Sequence, residues 1–137
     1  MSWDQYVATF VDGSICTDAA IFGLDNLALW AGHQSGCLVK ATPQELGLLV
    51  AKERGHLFTS GFVVGGERCG VLRDNWCDST LNSVDARTKC ADGPTYNIHI
   101  CKTNKCIIIL KGAEGIHGSQ LSKKCYDTAN YLRNAGY

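Results

Sequence analysis

Apolar side chains recur at helical spacing near both ends of the chain and at strand spacing between them. Leu121, Cys125, Ala129 and Leu132 fall on one helical face, which predicts a helix over residues 119–134, closed by Gly136. At the other end Ser2-Trp3-Asp4-Gln5 has the form of a capping box. The Ser hydroxyl and the Gln side chain each accept from a first-turn amide, and Asp4 suits the positive end of the helix dipole. A helix therefore starts at the N-terminus and stops at Asp12-Gly13, where glycine takes the left-handed conformation that ends a helix. Thr42-Pro43-Gln44-Glu45 repeats the signature, with Leu46, Leu49 and Val50 as its apolar stripe and Gly55 beyond its end.

The middle of the chain reads as strands. Residues 19–24, 27–33, 62–64, 69–72, 83–89, 95–101 and 106–111 are short, rich in β-formers and separated by turn residues such as Asp25-Asn26 and Asp92-Gly93-Pro94. Connections this short require hairpins, so the sheet is expected to be mostly antiparallel. The order helix, two strands, helix, several strands, helix gives an α+β fold with one central sheet and helices packed on it. Two strands carry polar rows. Ser83, Asp85, Arg87 and Lys89 alternate with Val84, Ala86 and Thr88, and Thr95, Asn97 and His99 alternate with Tyr96, Ile98 and Ile100. One turn joins them, so the rows adjoin.

Composition narrows the class. The 137 residues, 45% hydrophobic and 19% charged, suit a single globular domain over 1–137. The longest apolar run, 106–110, is too short to span a bilayer, and the N-terminus lacks a basic region followed by an apolar stretch, so nothing directs the chain to secretion and a cytoplasmic location is expected. Eight cysteines without a Cys-x-x-Cys pair then read as reduced thiols, with Cys101 and Cys106 flanking a hairpin loop and able to oxidise across it. Zero net charge argues against nucleic acid as a partner. The charge is uneven, however: residues 1–67 hold 3 basic and 7 acidic groups, residues 68–137 hold 10 and 6, so an electrostatic contact surface falls in the second half.

Catalytic patterns are weak. The glycine-rich stretch 111–119 is the most enzyme-like, yet it fits neither a P-loop nor a dinucleotide loop and reads as a tight strand-to-helix turn. The four histidines are scattered, and His99-Ile100-Cys101 alone approaches a metal-ligand spacing, which does not make a site. Neither Gly-x-Ser-x-Gly nor His-Glu-x-x-His occurs. The expectation is a binding protein without enzymatic activity, cofactor or metal.

The aromatic ends say more. Trp3 and Tyr6, three residues apart, share a helix face; Tyr131 lies one residue from the apolar face of the last helix; Tyr137 closes the sequence. These rings either pin the terminal helices to the sheet or display a site. Trp30 bears on the choice, because alternation in Leu27-Ala28-Leu29-Trp30-Ala31 sets it opposite Leu27 and Leu29. If both terminal helices cross the face of Trp30, the aromatics converge, and such clusters recognise proline-rich segments by stacking.

Ordered motifs along the chain carry a family resemblance. Trp3-x-x-Tyr6-Val7, Asp18-Ala19-Ala20-Ile21, Trp30-Ala31, Thr42-Pro43, Arg87-Thr88-Lys89, Pro94-Thr95-Tyr96-Asn97, Glu114-Gly115-Ile116-His117-Gly118, Lys123-Lys124-Cys125-Tyr126-Asp127 and Tyr131-Leu132 resemble animal-type profilins in their expected order. The resemblance implies paired N- and C-terminal helices on one face of the sheet and shorter helices on the other. It also implies a protein that binds monomeric actin, regulates polymerisation and nucleotide exchange, and docks proline-rich segments of elongation factors. The implied proline groove is Trp3, Tyr6, Trp30, Tyr131 and Tyr137. The implied actin surface takes Phe58, Arg68, Val71 and Arg73 from the middle of the chain, Arg87, Lys89, Thr95 and Asn97 from the polar rows, and Ile116, His117, Lys123, Tyr126 and Asp127 from the last helix and its approach. Arg68, Arg87, Lys89, Lys123 and Arg133 are the implied phosphatidylinositol bisphosphate contacts. The chain departs from the family pattern at Tyr131, where a histidine is common, at Leu81, where an acid is common, and at Ser122, where an asparagine is common. Leu81 leaves open an alternative, a profilin-like module for proline or lipid ligands with weak actin affinity.

Overall fold

The unbroken apolar run Cys106-Ile107-Ile108-Ile109-Leu110 forms the first five residues of a strand that is covered on both faces. Such a strand needs helices above and below it, and the computed structural model, which describes residues 2–90 and 92–137, supplies them. In chain order the elements are α1 (Trp3–Phe10), β1 (Cys16–Gly23), β2 (Leu29–Gly32), a 3-10 turn (Leu38–Lys40), α2 (Pro43–Leu49), α3 (Gly55–Ser60), β3 (Phe62–Val64), β4 (Glu67–Asn75), β5 (Ser83–Thr88), β6 (Asn97–Lys102), β7 (Cys106–Gly112) and α4 (Gly118–Asn134). The strands form one antiparallel sheet in the order β2-β1-β7-β6-β5-β4-β3.

Period-two alternation sorts the core into two layers. Ile98, Ile100, Ile107 and Ile109 point to one side, where Leu38, Leu46, Leu49 and Leu57 from the 3-10 turn, α2 and α3 cover them. Cys101, Cys106, Ile108 and Leu110 point to the other, beneath Val7 and Phe10 of α1 and Leu121, Cys125, Ala129 and Leu132 of α4. The expected fold class is found: α+β, with the terminal helices paired on one face and shorter helices on the other.

Both sequence capping boxes are formed. Ser2 and Gln5 exchange bonds of 2.8 and 3.3 Å, and Thr42 and Glu45 bonds of 3.0 and 3.2 Å. Several boundaries differ from expectation. α1 ends at Phe10, with its cap at Val11, because the Asp12 carboxylate accepts the amides of Ser14, Ile15 and Cys16 and turns the chain into β1, which begins at Cys16. α2 ends at Leu49, and Gly55 opens a further helix, α3, that has no side-chain cap and buries only Leu57, so it left no periodic signal. Lys89 and Thr95 fall just outside β5 and β6.

The cysteine reading is corrected. Cys101 is joined in a disulfide to Cys125 of α4, not poised against Cys106. The β6–β7 register sets Cys101 opposite Ile108, while Cys106 sits opposite Gly23 of β1 and within 3.1 Å of the Thr103 hydroxyl. A strand-to-helix pairing across 24 residues has no signature in spacing. Among the described residues no helix is long and apolar enough to cross a membrane.

Ile109, fully buried in β7, reads out the core. Ile109→Ala is expected to cost about 2–5 kcal/mol and Ile109→Val about 0.5–1.5 kcal/mol in urea denaturation.

Candidate functional site

Strand β2 sits at the sheet edge beside α1, and its Trp30 packs half-buried against the terminal-helix layer. Gly23 makes room for it: a side chain there would strike the Trp30 indole and Asn26. The Trp3 ring lies tilted against its neighbours, 4.8 Å from Trp30 and 5.6 Å from Tyr6, and Tyr6 lies 6.4 Å from Tyr131 on α4. Tyr137 joins through backbone geometry. Gly136 takes φ +98°, its amide donates to the Arg133 carbonyl, and the Tyr137 amide donates to the Leu132 carbonyl at 2.8 Å. This paired capping of the helix end folds the tail back, and the Tyr137 ring meets Trp3 edge-on at 5.2 Å. All five predicted ring positions thus form one aromatic row. Tyr131 is 62% exposed and Tyr137 42%, whereas Val7 and Phe10 are buried, so pinning and display fall to different residues of the same helices. Burial and the neighbouring Tyr131 phenol raise the Tyr6 pKa.

A second feature lies on the same sheet face, beside α4. Cross-strand pairs Asp85–His99 and Arg87–Asn97 bring the two polar rows side by side. Asp85 Oδ1 is 2.7 Å from His99 Nδ1; the Arg87 guanidinium donates to the Thr95 hydroxyl at 2.7 Å and to Asn97 Oδ1 at 3.2 Å. Asn97 donates in turn to the Ile116 carbonyl at 2.9 Å, fixing the turn that leads into α4. Arg73, Asp85, Asn97, His99 and Ser122 line a cleft of about 300 Å³. Next to it Leu81, Lys123, Tyr126, Asp127 and Arg133 line another of about 420 Å³.

The chain as a whole has known relatives. The family model for profilin matches residues 1–137. The chain is 39% identical to human profilin-1 over 137 residues, covering 98% of each chain. The chain belongs to the profilin family. Mouse profilin IIa, solved in complex with a double repeat from the FH1 domain of mDia1, matches over 100% of both chains with 34% identity and a TM-score of 0.94. Acanthamoeba castellanii profilin IB matches at 24% identity and a TM-score of 0.74, covering 99% of this chain and 100% of that one, and speaks to the fold alone. Profilins bind monomeric actin and regulate its polymerisation, and they are not enzymes.

In this profilin the remaining predicted residues are spread more widely. Phe58, 60% exposed, stands on α3, apart from the polar row. Arg54 holds that segment through bonds of 2.7 and 3.0 Å to Asp74 and through the Leu49 and Ala51 carbonyls. Arg68 and Lys89 share a cleft of about 360 Å³ with Tyr96. Val71 and Ile116 are half-buried, and His117 is exposed. Asn97 is buried rather than solvated, which the alternation alone did not separate from an exposed polar row. Lys123 pairs with Asp127 at 3.2 Å, both exposed. Arg133 spends its guanidinium on the Lys102 carbonyl and on Asn130, so it does not join Arg68 and Lys89.

Sequence reading missed Lys105, whose ammonium lies 5.6 Å over the Tyr137 ring, and Asp12, which ties α1 to α4 through Lys124 at 3.0 Å. Burial pushes the Asp12 carboxyl up, but the amides of Ile15, Cys16 and Ser14 and the Lys124 ammonium outweigh it and hold the group well below the usual carboxylate range. A depressed folded pKa contributes stability above the unfolded value, about 4, and loses it as pH falls below that. Asp12→Asn is therefore expected to cost roughly 1 kcal/mol at pH 7. In thermal melts at stepped pH, its deficit against the parent chain should shrink below about pH 4.

Proposed function

We propose that this chain is a single profilin domain over 1–137 that binds monomeric actin with the sheet face beside α4 and docks proline-rich segments on the row Trp3, Tyr6, Trp30, Tyr131 and Tyr137. The convergence of five rings with two of them well exposed carries the proline reading. A polyproline II ligand is already extended, so stacking its pyrrolidines between aromatic ridges costs little ordering entropy. The ligand class also follows from the profilin IIa complex with FH1 repeats.

The actin surface comprises Phe58, Arg68, Val71, Arg73, Arg87, Lys89, Thr95, Asn97, Ile116, His117, Lys123, Tyr126 and Asp127. Internal bonds among Arg87, Thr95 and Asn97 hold part of it in place before binding, which lowers the ordering cost. Anionic phosphoinositide headgroups compete for its cationic part: Arg68 and Lys89 in one cleft, Arg87 nearby, and Lys123 and Arg133 in another. The protein acts in the cytoplasm with the actin cytoskeleton.

A second reading, weak actin affinity, is favoured by Leu81, which is 40% exposed at the mouth of the cleft it shares with Lys123. Titration into an actin polymerisation assay separates the two. The parent chain is expected to suppress spontaneous nucleation, and Lys89→Glu to do so about tenfold less well because it reverses a rim charge that steers association. No suppression by the parent chain at large excess would select the second reading. At the aromatic row, Trp3→Ala is expected to weaken proline-peptide binding by about 2 kcal/mol, the cost typical of an aromatic anchor. Full retention of that variant on immobilised polyproline would remove the groove assignment.

A further inference from the structure

The polar row of Asp85 and His99 runs on to Cys101, and Cys125 of α4 descends on it from the opposite side. A ring nitrogen of His99 and the two sulfurs lie within 4.8 Å of one another, and all three residues are buried. Asp85 engages His99 Nδ1 at 2.7 Å, which leaves Nε2 free. A carboxylate on the far nitrogen is the arrangement that fixes the tautomer and ring orientation of metal-binding histidines. Two thiolates and an imidazole make a soft sulfur and nitrogen set that suits zinc, and three protein ligands leave a fourth position for water. His99 and Cys101 also line the cleft of about 420 Å³, which gives an ion its entry and the fourth ligand its room.

We propose that, once the Cys101–Cys125 bond is reduced, His99, Cys101 and Cys125 form a buried zinc site with Asp85 as the positioning residue for His99. Opening the disulfide takes two electrons from an added phosphine, which leaves as its oxide with the oxygen of a water molecule, while that water supplies the two thiol protons. Zinc then displaces both thiol protons to solvent as the two S–Zn bonds form, so binding tightens as pH rises. Disulfide and metal use the same two sulfurs and exclude each other. The site depends on neither the proline nor the actin reading.

The test uses the full chain carrying Cys77→Ser and Cys90→Ser, which removes the two exposed thiols. It is reduced with a phosphine and titrated anaerobically with Co²⁺ as a spectroscopic stand-in for Zn²⁺. The expected result is one equivalent of cobalt with tetrahedral visible bands and a sulfur-to-cobalt charge-transfer band, displaced by Zn²⁺ and absent before reduction. Asp85→Asn should weaken binding roughly 10- to 100-fold while leaving the bands in place. Cys101→Ser and His99→Gln, with folding checked by circular dichroism and tryptophan emission, should each alter the spectrum and lower affinity further. No cobalt uptake after full reduction, equal uptake before and after it, or an unchanged spectrum in Cys101→Ser would overturn the proposal. Should Cys101→Ser fail to fold, an unchanged spectrum in His99→Gln has the same force.

Discussion

The antiparallel pairing of β1 with β7 governs the arrangement of everything else. One strand comes near the start of the chain and the other near its end, and they join along Ala19–Leu110, Ala20–Ile109 and Ile21–Ile108. Because α1 leads into β1 and α4 follows β7, this register delivers both helices to the same layer. Closing so long a loop carries an entropic cost, which the burial of apolar side chains on both faces of β1 and β7 offsets. The aromatic row is therefore a property of the assembled sheet. Trp3 and Tyr137 have no reason to meet in the unfolded chain, and a one-residue slip of β1 would turn Ala19 and Ile21 away from the layer that receives α1.

How much of this was legible in the sequence follows from the range of the forces involved. Capping boxes at Ser2 and Thr42 act over three residues and could be read directly, as could the stripe of Leu121, Cys125, Ala129 and Leu132. Strand existence was readable from alternation and turn residues, while strand ends shifted by one to three residues because pairing partners decide them. The missed helix α3 is held by Arg54 reaching Asp74 in β4, a contact invisible to local pattern. The same holds for Asp12 with Lys124 and for Cys101 with Cys125, where each residue is ordinary until the fold supplies its neighbour. The aromatic ends were ambiguous between anchoring and display because both roles fall on the same helices, with Val7 and Phe10 buried and Trp3 and Tyr6 half-buried at the edge of that layer.

The polar row shows what alternation leaves out. Alternation marked Thr95, Asn97 and His99 as one polar row without saying whether it faces solvent, and in the fold Asn97 and His99 are buried and each bonds a neighbour. Polar side chains inside a sheet face must be paired to offset their lost hydration, and the pairs here run across strands, where sequence spacing cannot register them.

Helix α4 touches the sheet through two large residues at its ends, Leu121 and Leu132, and two small ones between them, Cys125 and Ala129. Those small residues set how low the rod rides over β6. The exposed flanks of the rod carry Lys123, Tyr126 and Asp127 toward one surface and Tyr131 toward the other. Clearance under the middle of α4 is thus a shared adjustment: any change in bulk there tilts both flanks together. With Cys125 committed to Cys101, sequence drift at the hidden Ala129 can retune both recognition surfaces without replacing a residue on either.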